Sequence, residues 1–202
     1  MVNSEAVTTK SIAVEINDSI SVIRFTRPRE RNPLSVATLE ELQRQFSSLS
    51  SNKHIKAIIF TGMDDVFASG ANIYEVGSLT PEEALKFSHR WQAFFQSIAD
   101  SDKHTIAAVN GYCMGGALDL ALSCKVRIAT PNAVFAHPGL RLGIITGWGG
   151  TQRLTRLVGM AKALDIFLTA RRVDAKEALE IGLISAVDEN VLDAAQRLCQ
   201  EL

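Results

Sequence analysis

Apolar and polar positions repeat along this chain with two periods, and the switches between the periods mark out its elements. Ile12 to Ile16 and Ile20 to Phe25 alternate residue by residue around Asn17-Asp18, which predicts a hairpin of half-exposed strands. Pro28 and Pro33 then mark a loop. Leu39, Leu42 and Phe46 recur at helical spacing within Val36 to Leu49, and the apolar run Ile55 to Phe60 reads as a buried strand. Thr80, Pro81 and Glu83 form a capping box with Pro at the first helical position, so a helix is predicted to run to about Ala99. Strand Thr105 to Val109 follows, with a helix from Leu118 onward. Strand Lys125 to Ala129 and the short Val134-Phe135-Ala136 precede a glycine-rich loop that leads into helices from about Gly150. Asp174 with Glu177 caps a further helix, Gly182 ends it, and Leu183 to Val187 returns as a strand before an amphipathic helix from about Val191. Strands alternating with helices imply an α/β fold with a mostly parallel, right-handed layered sheet.

A chain of 202 residues with 47% hydrophobic and 21% charged content can bury one sizeable core, so residues 1–202 are expected to form a single domain. The net charge of −1 provides no basic field, which argues against nucleic acid or an anionic membrane as partner. No apolar run approaches the roughly 20 residues needed to span a bilayer. Met1 to Lys10 lacks the apolar stretch of a signal peptide. Cys113, Cys124 and Cys199 are an odd number without a CxxC pair and are read as reduced thiols in a cytoplasmic protein. Walker-type loops, metal-spaced His/Cys sets and a Rossmann fingerprint are absent, so no metal and no separate cofactor are expected.

The candidate chemistry lies in Asn110-Gly111-Tyr112-Cys113-Met114-Gly115-Gly116-Ala117-Leu118-Asp119, placed between a buried strand and a helix. The first N–H groups of a helix have no partner within it, and glycine lets a ligand oxygen approach them without meeting a Cβ. Asp119 stands among Leu118, Leu120, Ala121 and Leu122, where a carboxylate is costly unless it is partnered or used. A second glycine turn, Ala68-Ser69-Gly70-Ala71-Asn72-Ile73, follows the strand of the preceding unit. Two parallel strands therefore end in turns whose N–H groups share one edge, an arrangement that suits a carbonyl oxygen held between two donors. Either turn alone is as well explained by the ordinary use of glycine in turns. Asp119 could equally be tied up in a cap or a core hydrogen bond, and a His before Pro, as in His137-Pro138, is commonly structural.

These segments resemble the crotonase, or enoyl-CoA hydratase/isomerase, superfamily. The resemblance runs from Thr26-Arg27-Pro28-Arg29-Glu30-Arg31-Asn32-Pro33-Leu34-Ser35 through the two glycine turns and Gly149-Gly150-Thr151-Gln152-Arg153-Leu154 to Ala178-Leu179-Glu180-Ile181-Gly182-Leu183-Ile184. It implies the ClpP/crotonase fold, a spiral of repeated ββα units usually assembled as a homo-trimer or a hexamer. It also implies an acyl-CoA thioester whose carbonyl lies between the N–H groups of Ala71 and Gly116, in an oxyanion hole that stabilises an enolate. Gly70, Asn72, Ile73, Tyr74 and Gly115 flank that hole. Arg29, with the backbone around Glu30, Arg31 and Pro33, matches the stretch that lies along the CoA nucleotide.

The chain departs from the hydratase pattern in its acids. Family hydratases use two glutamates: the first matches Asp119, shorter by one methylene, and the second falls at Gly139, which cannot transfer a proton. A position that carries an acid in some isomerases corresponds to about Gly147. Asp119 is therefore expected to move protons alone or with His137, favouring an isomerase or decarboxylase over hydration, and a glutamate at Gly139 is expected to raise hydration. Family members also continue beyond the Leu183 strand into helices that are shortened here, which leaves a catalytically weak member open. A thioester hydrolase with Cys113 as nucleophile and His137 as base is a further alternative.

Overall fold

The computed structural model describes residues 5–8 and 11–201. The rest of Met1 to Lys10 lies outside the described residues. β1 (Glu5–Thr8), β2 (Ile12–Asn17) and β3 (Ile20–Phe25) form an antiparallel meander, and Asp18 turns the second hairpin with φ +53°. β4 (Pro33–Leu34) leads into α1 (Val36–Ser51), where the Ser35 hydroxyl caps the Thr38 N–H. Three units then repeat one plan: a long buried strand, a short strand, and helix. They are β5 (Ala57–Thr61) with β6 (Val66–Ala68), β7 (Gly70–Ala71), α2 (Ile73–Gly77) and α3 (Pro81–Ala99); β8 (His104–Val109) with β9 (Tyr112–Met114) and α4 (Gly116–Ser123); and β10 (Val126–Ala129) with β11 (Val134–Ala136), α5 (Gly150–Val158) and α6 (Met160–Thr169). β12 (Val173–Asp174), α7 (Ala175–Glu180), β13 (Ala186–Val187) and α8 (Val191–Gln200) complete the order. The Thr80 capping box forms as the sequence predicts.

The long strands make one sheet in the order β1-β2-β3-β5-β8-β10-β13, parallel from β3 onward. The short strands make a second, β12-β11-β9-β6, so each turn of the chain adds one strand to each sheet. Alternation along the long strands sorts the core: Ile58, Phe60, Ala107 and Val109 face α1, α3 and α4, while Ile59, Ile106 and Ala108 face Val191 and Ala195 of α8. Fully buried residues at all five positions of β5 follow from having both faces covered.

Two expectations change. Strand β8 does not run straight into the glycine-rich turn, because β9 is interposed and the chain changes sheets at Asn110-Gly111. The Asn110 side chain accepts from the Gly62 N–H at 2.9 Å and donates to the Asp64 carbonyl at 3.0 Å, tying this corner to that of the preceding unit. Gly111 is required there: a Cβ would stand 1.8 Å from the Asp65 carbonyl oxygen. The strand expected from Leu183 begins only at Ala186, since the N–H groups of Leu183 and Ile184 both bond to the Ala178 carbonyl and close α7.

Candidate active site

The two glycine turns meet backbone to backbone. Gly70 has φ +88°, and a Cβ on it would stand 2.6 Å from the Met114 carbonyl oxygen and 2.8 Å from the Gly116 nitrogen. Gly116 begins α4, so its N–H has no partner within the helix. Gly115 precedes it with φ +55°, and its N–H bonds to the Ala136 carbonyl at 2.8 Å, which hangs the turn from β11. Ala71 ends β7 opposite Leu34.

The Arg29 to Pro33 stretch is brought to the same place. Pro33 lies opposite Gly70 in a parallel pair, and buried Asn32 donates to the carbonyls of Val66 and Phe67 at 3.0 and 3.1 Å while accepting from the Arg27 N–H at 2.7 Å. Arg29 and Arg31 remain exposed; Glu30 is exposed too, but its carboxylate pairs with Arg27, which holds its pKa below the usual value. Asn72 caps α2 by accepting from the Tyr74 N–H at 3.1 Å. Ile73 is half exposed, and Tyr74, 85% exposed, projects into solvent instead of walling a pocket.

One turn into α4, Asp119 is fully buried. Its Oδ2 accepts from the Thr146 hydroxyl, and its Oδ1 lies 3.5 Å from His137 Nε2. Burial pushes the carboxyl up from 3.8 to about 7, against the pull of the Thr146 hydroxyl, the Trp148 N–H and the Arg153 charge. Burial pushes the His137 imidazole down from 6.5 to about 4, with its ring 4.8 Å from that of Phe167. A distance of 3.5 Å exceeds a good hydrogen bond, and a ring titrating near 4 is neutral at pH 7. The contact is therefore between a carboxyl and a neutral imidazole, and it is not an ion pair. Asp119 Oδ1 and His137 Nε2 are both buried without a hydrogen-bond partner among the described residues.

A strap from Thr146 to Gly150 covers the carboxyl. Ser88 on α3 donates to the Gly147 carbonyl at 2.8 Å, and Arg153 bridges the Trp148 carbonyl and the Gln96 side chain at 2.9 Å each. Trp148, 4% exposed, packs its ring against Gly116, where a Cβ would stand 2.1 Å from it, and against Phe87 and Phe95. Gly150 is equally close to Asp119: a Cβ there would fall 1.9 Å from Oδ1.

Cys113 points into the core from β9, and burial raises its thiol well above 9.0. A thiol this hard to ionise is no nucleophile, so the hydrolase alternative loses its central residue. Two open clefts of about 600 and 500 Å³ lie elsewhere, one lined by Arg24, Asn110 and Asp193 and the other by Ser50 and Lys103; of the candidate segments only Asn110, at the corner between sheets, reaches either. No group of three metal-ligating side chains is found among the described residues, and no described helix is long and apolar enough to cross a membrane.

The sequence pattern of the enoyl-CoA hydratase/isomerase family matches residues 15–202. This chain belongs to that family. It is 35% identical over 195 residues to the short-chain-enoyl-CoA hydratase of Clostridium acetobutylicum, covering 95% of this chain and 75% of the relative. The crotonyl-CoA hydratase of Syntrophomonas wolfei is 38% identical, with 88% and 69% covered. A crystal structure of enoyl-CoA hydratase from Bacillus anthracis superposes with a TM-score of 0.89 at 31% identity, covering 95% of this chain and 76% of that one. The chain is an acyl-CoA enzyme of the lyase or isomerase type, with the crotonase fold.

Within that family frame, Gly139 is a closed position and not simply an empty one. The Ile144 N–H bonds to the Gly139 carbonyl at 3.0 Å, and a Cβ on Gly139 would stand 2.7 Å from the Ile144 carbonyl oxygen. The expectation that a glutamate here raises hydration is therefore corrected, because the side chain cannot enter without opening this turn. Gly139→Glu is expected to leave crotonyl-CoA hydration where it was and to cost about 1–3 kcal/mol, read from a thermal melt beside a hydration assay. Sequence reading missed Thr146, Asn32 and Arg153, although the last two stood inside quoted segments and Thr146 precedes Gly147. Their partners are distant in the chain, and no local pattern announces them.

Proposed function

We propose that the facing N–H groups of Ala71 and Gly116 hold the carbonyl oxygen of an acyl-CoA thioester and stabilise its enolate, and that Asp119 is the group through which the proton moves. The observation that carries this reading is the packing of Gly70 on the Gly116 nitrogen, one helical turn from a buried carboxyl that titrates near 7. Donors fixed before the reaction favour the oxygen as it gains charge, at no cost of reorganisation. A pKa near the working pH lets one carboxyl both take and return a proton. In this reading the phosphates of CoA meet Arg29 and Arg31, which are exposed, beside the backbone of Glu30 and Pro33, with Gly70, Gly115, Asn72 and Ile73 as the lip of the site. In this reading His137, a neutral ring 3.5 Å from Oδ1 and without a hydrogen bond to it, packs beside the carboxyl and carries no proton.

With Gly139 and Gly147 carrying no acid, the chemistry is a proton exchange at the α-carbon, a double-bond shift, or loss of carbon dioxide from a malonyl-type thioester. Hydration is the second reading, favoured by the named activities of the relatives. A cytoplasmic trimer or hexamer belongs to the same proposal and rests on the family resemblance. The test is a panel of saturated, 2-enoyl and 3-enoyl thioesters in D2O, followed by mass spectrometry and product analysis. Deuterium at the α-carbon with little hydration is expected; crotonyl-CoA hydration outrunning exchange and isomerisation would shift the assignment to the second reading.

A further inference from the structure

We infer that the hydroxyl of Thr146 is the group that touches the substrate carbon and relays its proton to Asp119. The inference rests on the proposed function above and names a catalytic residue within that site. Asp119 is fully buried, so its carboxyl cannot itself meet a substrate atom. One of its oxygens is closed off: the Gly150 backbone and the His137 ring lie against Oδ1. The remaining oxygen, Oδ2, accepts from Thr146 Oγ1, and Thr146 is only half-buried. Among the described residues this hydroxyl is the only side-chain hydrogen bond that the carboxyl makes.

Placement supports the role. Thr146 begins the strap whose Trp148 seats against Gly116, the residue whose N–H would hold the thioester oxygen, and Ser88 and Arg153 pin that strap on both sides. A carboxylate one methylene shorter than glutamate reaches less far, and a hydroxyl bonded to it extends that reach by about one hydrogen bond, roughly 3 Å. The direction of the bond is also right, because the hydroxyl donates to the carboxyl and its oxygen keeps lone pairs with which to accept a proton.

The step conserves atoms and electrons. Thr146 Oγ takes the proton from the α-carbon as its own hydroxyl proton passes to Asp119 Oδ2. The C–H electron pair moves into the thioester, whose oxygen becomes the enolate oxygen at Ala71 and Gly116. Reversal returns one proton from Asp119 through Thr146 to the α- or γ-carbon. Each passage transfers two protons in concert, so no alkoxide accumulates on Thr146.

Thr146→Val removes the hydroxyl and keeps the shape, and Thr146→Ser keeps the hydroxyl. The readouts are acyl-CoA affinity by calorimetry and α-deuterium exchange in D2O, with a thermal melt of each variant. The valine variant is expected to bind acyl-CoA as the wild type does and to lose about 10²–10⁴-fold in exchange, whereas serine recovers to within about tenfold. Exchange within threefold of wild type in Thr146→Val would overturn the relay alone. Loss of binding together with exchange in that variant would mark Thr146 as a packing residue and overturn it as well. A wild-type protein that binds acyl-CoA without exchanging would instead overturn the proposed function, and this inference with it.

Discussion

Gly70→Ala is expected to abolish measurable turnover and to lower the melting temperature. Two costs coincide at this residue. The backbone sits at φ +88°, a conformation that an L side chain adopts only under strain, and the added methyl would stand 2.6 Å from one backbone atom and 2.8 Å from another. Neither obstacle can rotate away, because the Met114 carbonyl and the Gly116 nitrogen belong to β9 and the first residue of α4. Relief requires the two turns to separate, and separation moves the Gly116 N–H away from Ala71. Loss of one such donor lowers rates by about 10²–10³, and the strain adds about 1–3 kcal/mol of instability. Gly77→Ala is the control, since a Cβ there meets nothing within 4 Å and alanine suits a helix better than glycine. Circular-dichroism melts and the thioester panel measure both effects. A Gly70→Ala protein with wild-type turnover would remove the paired turns from the mechanism.

Asp119→Asn is expected to act in opposite senses on activity and stability. Proton exchange at the α-carbon should fall by about 10²–10⁴-fold, because the amide neither accepts nor returns a proton at these pH values. Stability at neutral and alkaline pH should rise. In the folded chain Asp119 keeps its proton to about pH 7, whereas an ordinary aspartic acid loses it near 3.8. Between those values the folded state holds a proton that the unfolded state has released. Stability therefore falls by about 1.4 kcal/mol per pH unit across that window, and the loss is complete above about pH 7.

His137 contributes the opposite slope. Its folded pKa is about 4 against an ordinary 6.5, so its stabilisation is present above 6.5 and is lost as pH falls towards 4. In the wild type the two slopes offset each other between about pH 4 and 6.5, and stability from this pair is nearly level there. In Asp119→Asn only the His137 slope remains, so the melting temperature should climb with pH over that range and then stay above wild type at pH 8. A variant that melts below wild type at pH 8 would show that the hydrogen bonds of the carboxylate outweigh its desolvation.

Much of the fold was legible because its signals are local. The Thr80 box, the helix read over Val36 to Leu49 and the buried runs of β5 and β8 each depend on neighbours a few residues apart, and each forms within two residues of the bounds read from the sequence. Pairing the two glycine turns was legible as well, since consecutive parallel strands must end on one edge. Gly111 was grouped with the site, yet it serves the corner between sheets, because glycine alone does not say whether a ligand or the chain's own backbone comes close. The same ambiguity hid the surroundings of Gly139 and Gly150: one looked like a missing acid, and the other was read only as the helix start that it is. A Cβ on either would meet a group from elsewhere in the chain, the Ile144 carbonyl in one case and the Asp119 carboxyl in the other.

The sequence by itself determined the family, the succession of ββα units and the presence of one acid beside two donor turns. The family and its ββα units rest on the resemblance of the quoted segments, while the alternation of strands and helices and the acid beside two donor turns follow from hydrophobic period, capping chemistry and the spacing of glycines, all of which act over short stretches of chain. Only the tertiary structure decided that Asp119 is sealed beneath the Thr146 to Gly150 strap, that Trp148 rests on Gly116, and that the Thr146 hydroxyl donates to the carboxyl. Burial and partnership are set by residues that fold over a site from elsewhere in the chain, Thr146 from 27 positions away among them, and that packing raises an ordinary carboxyl to a pKa near 7.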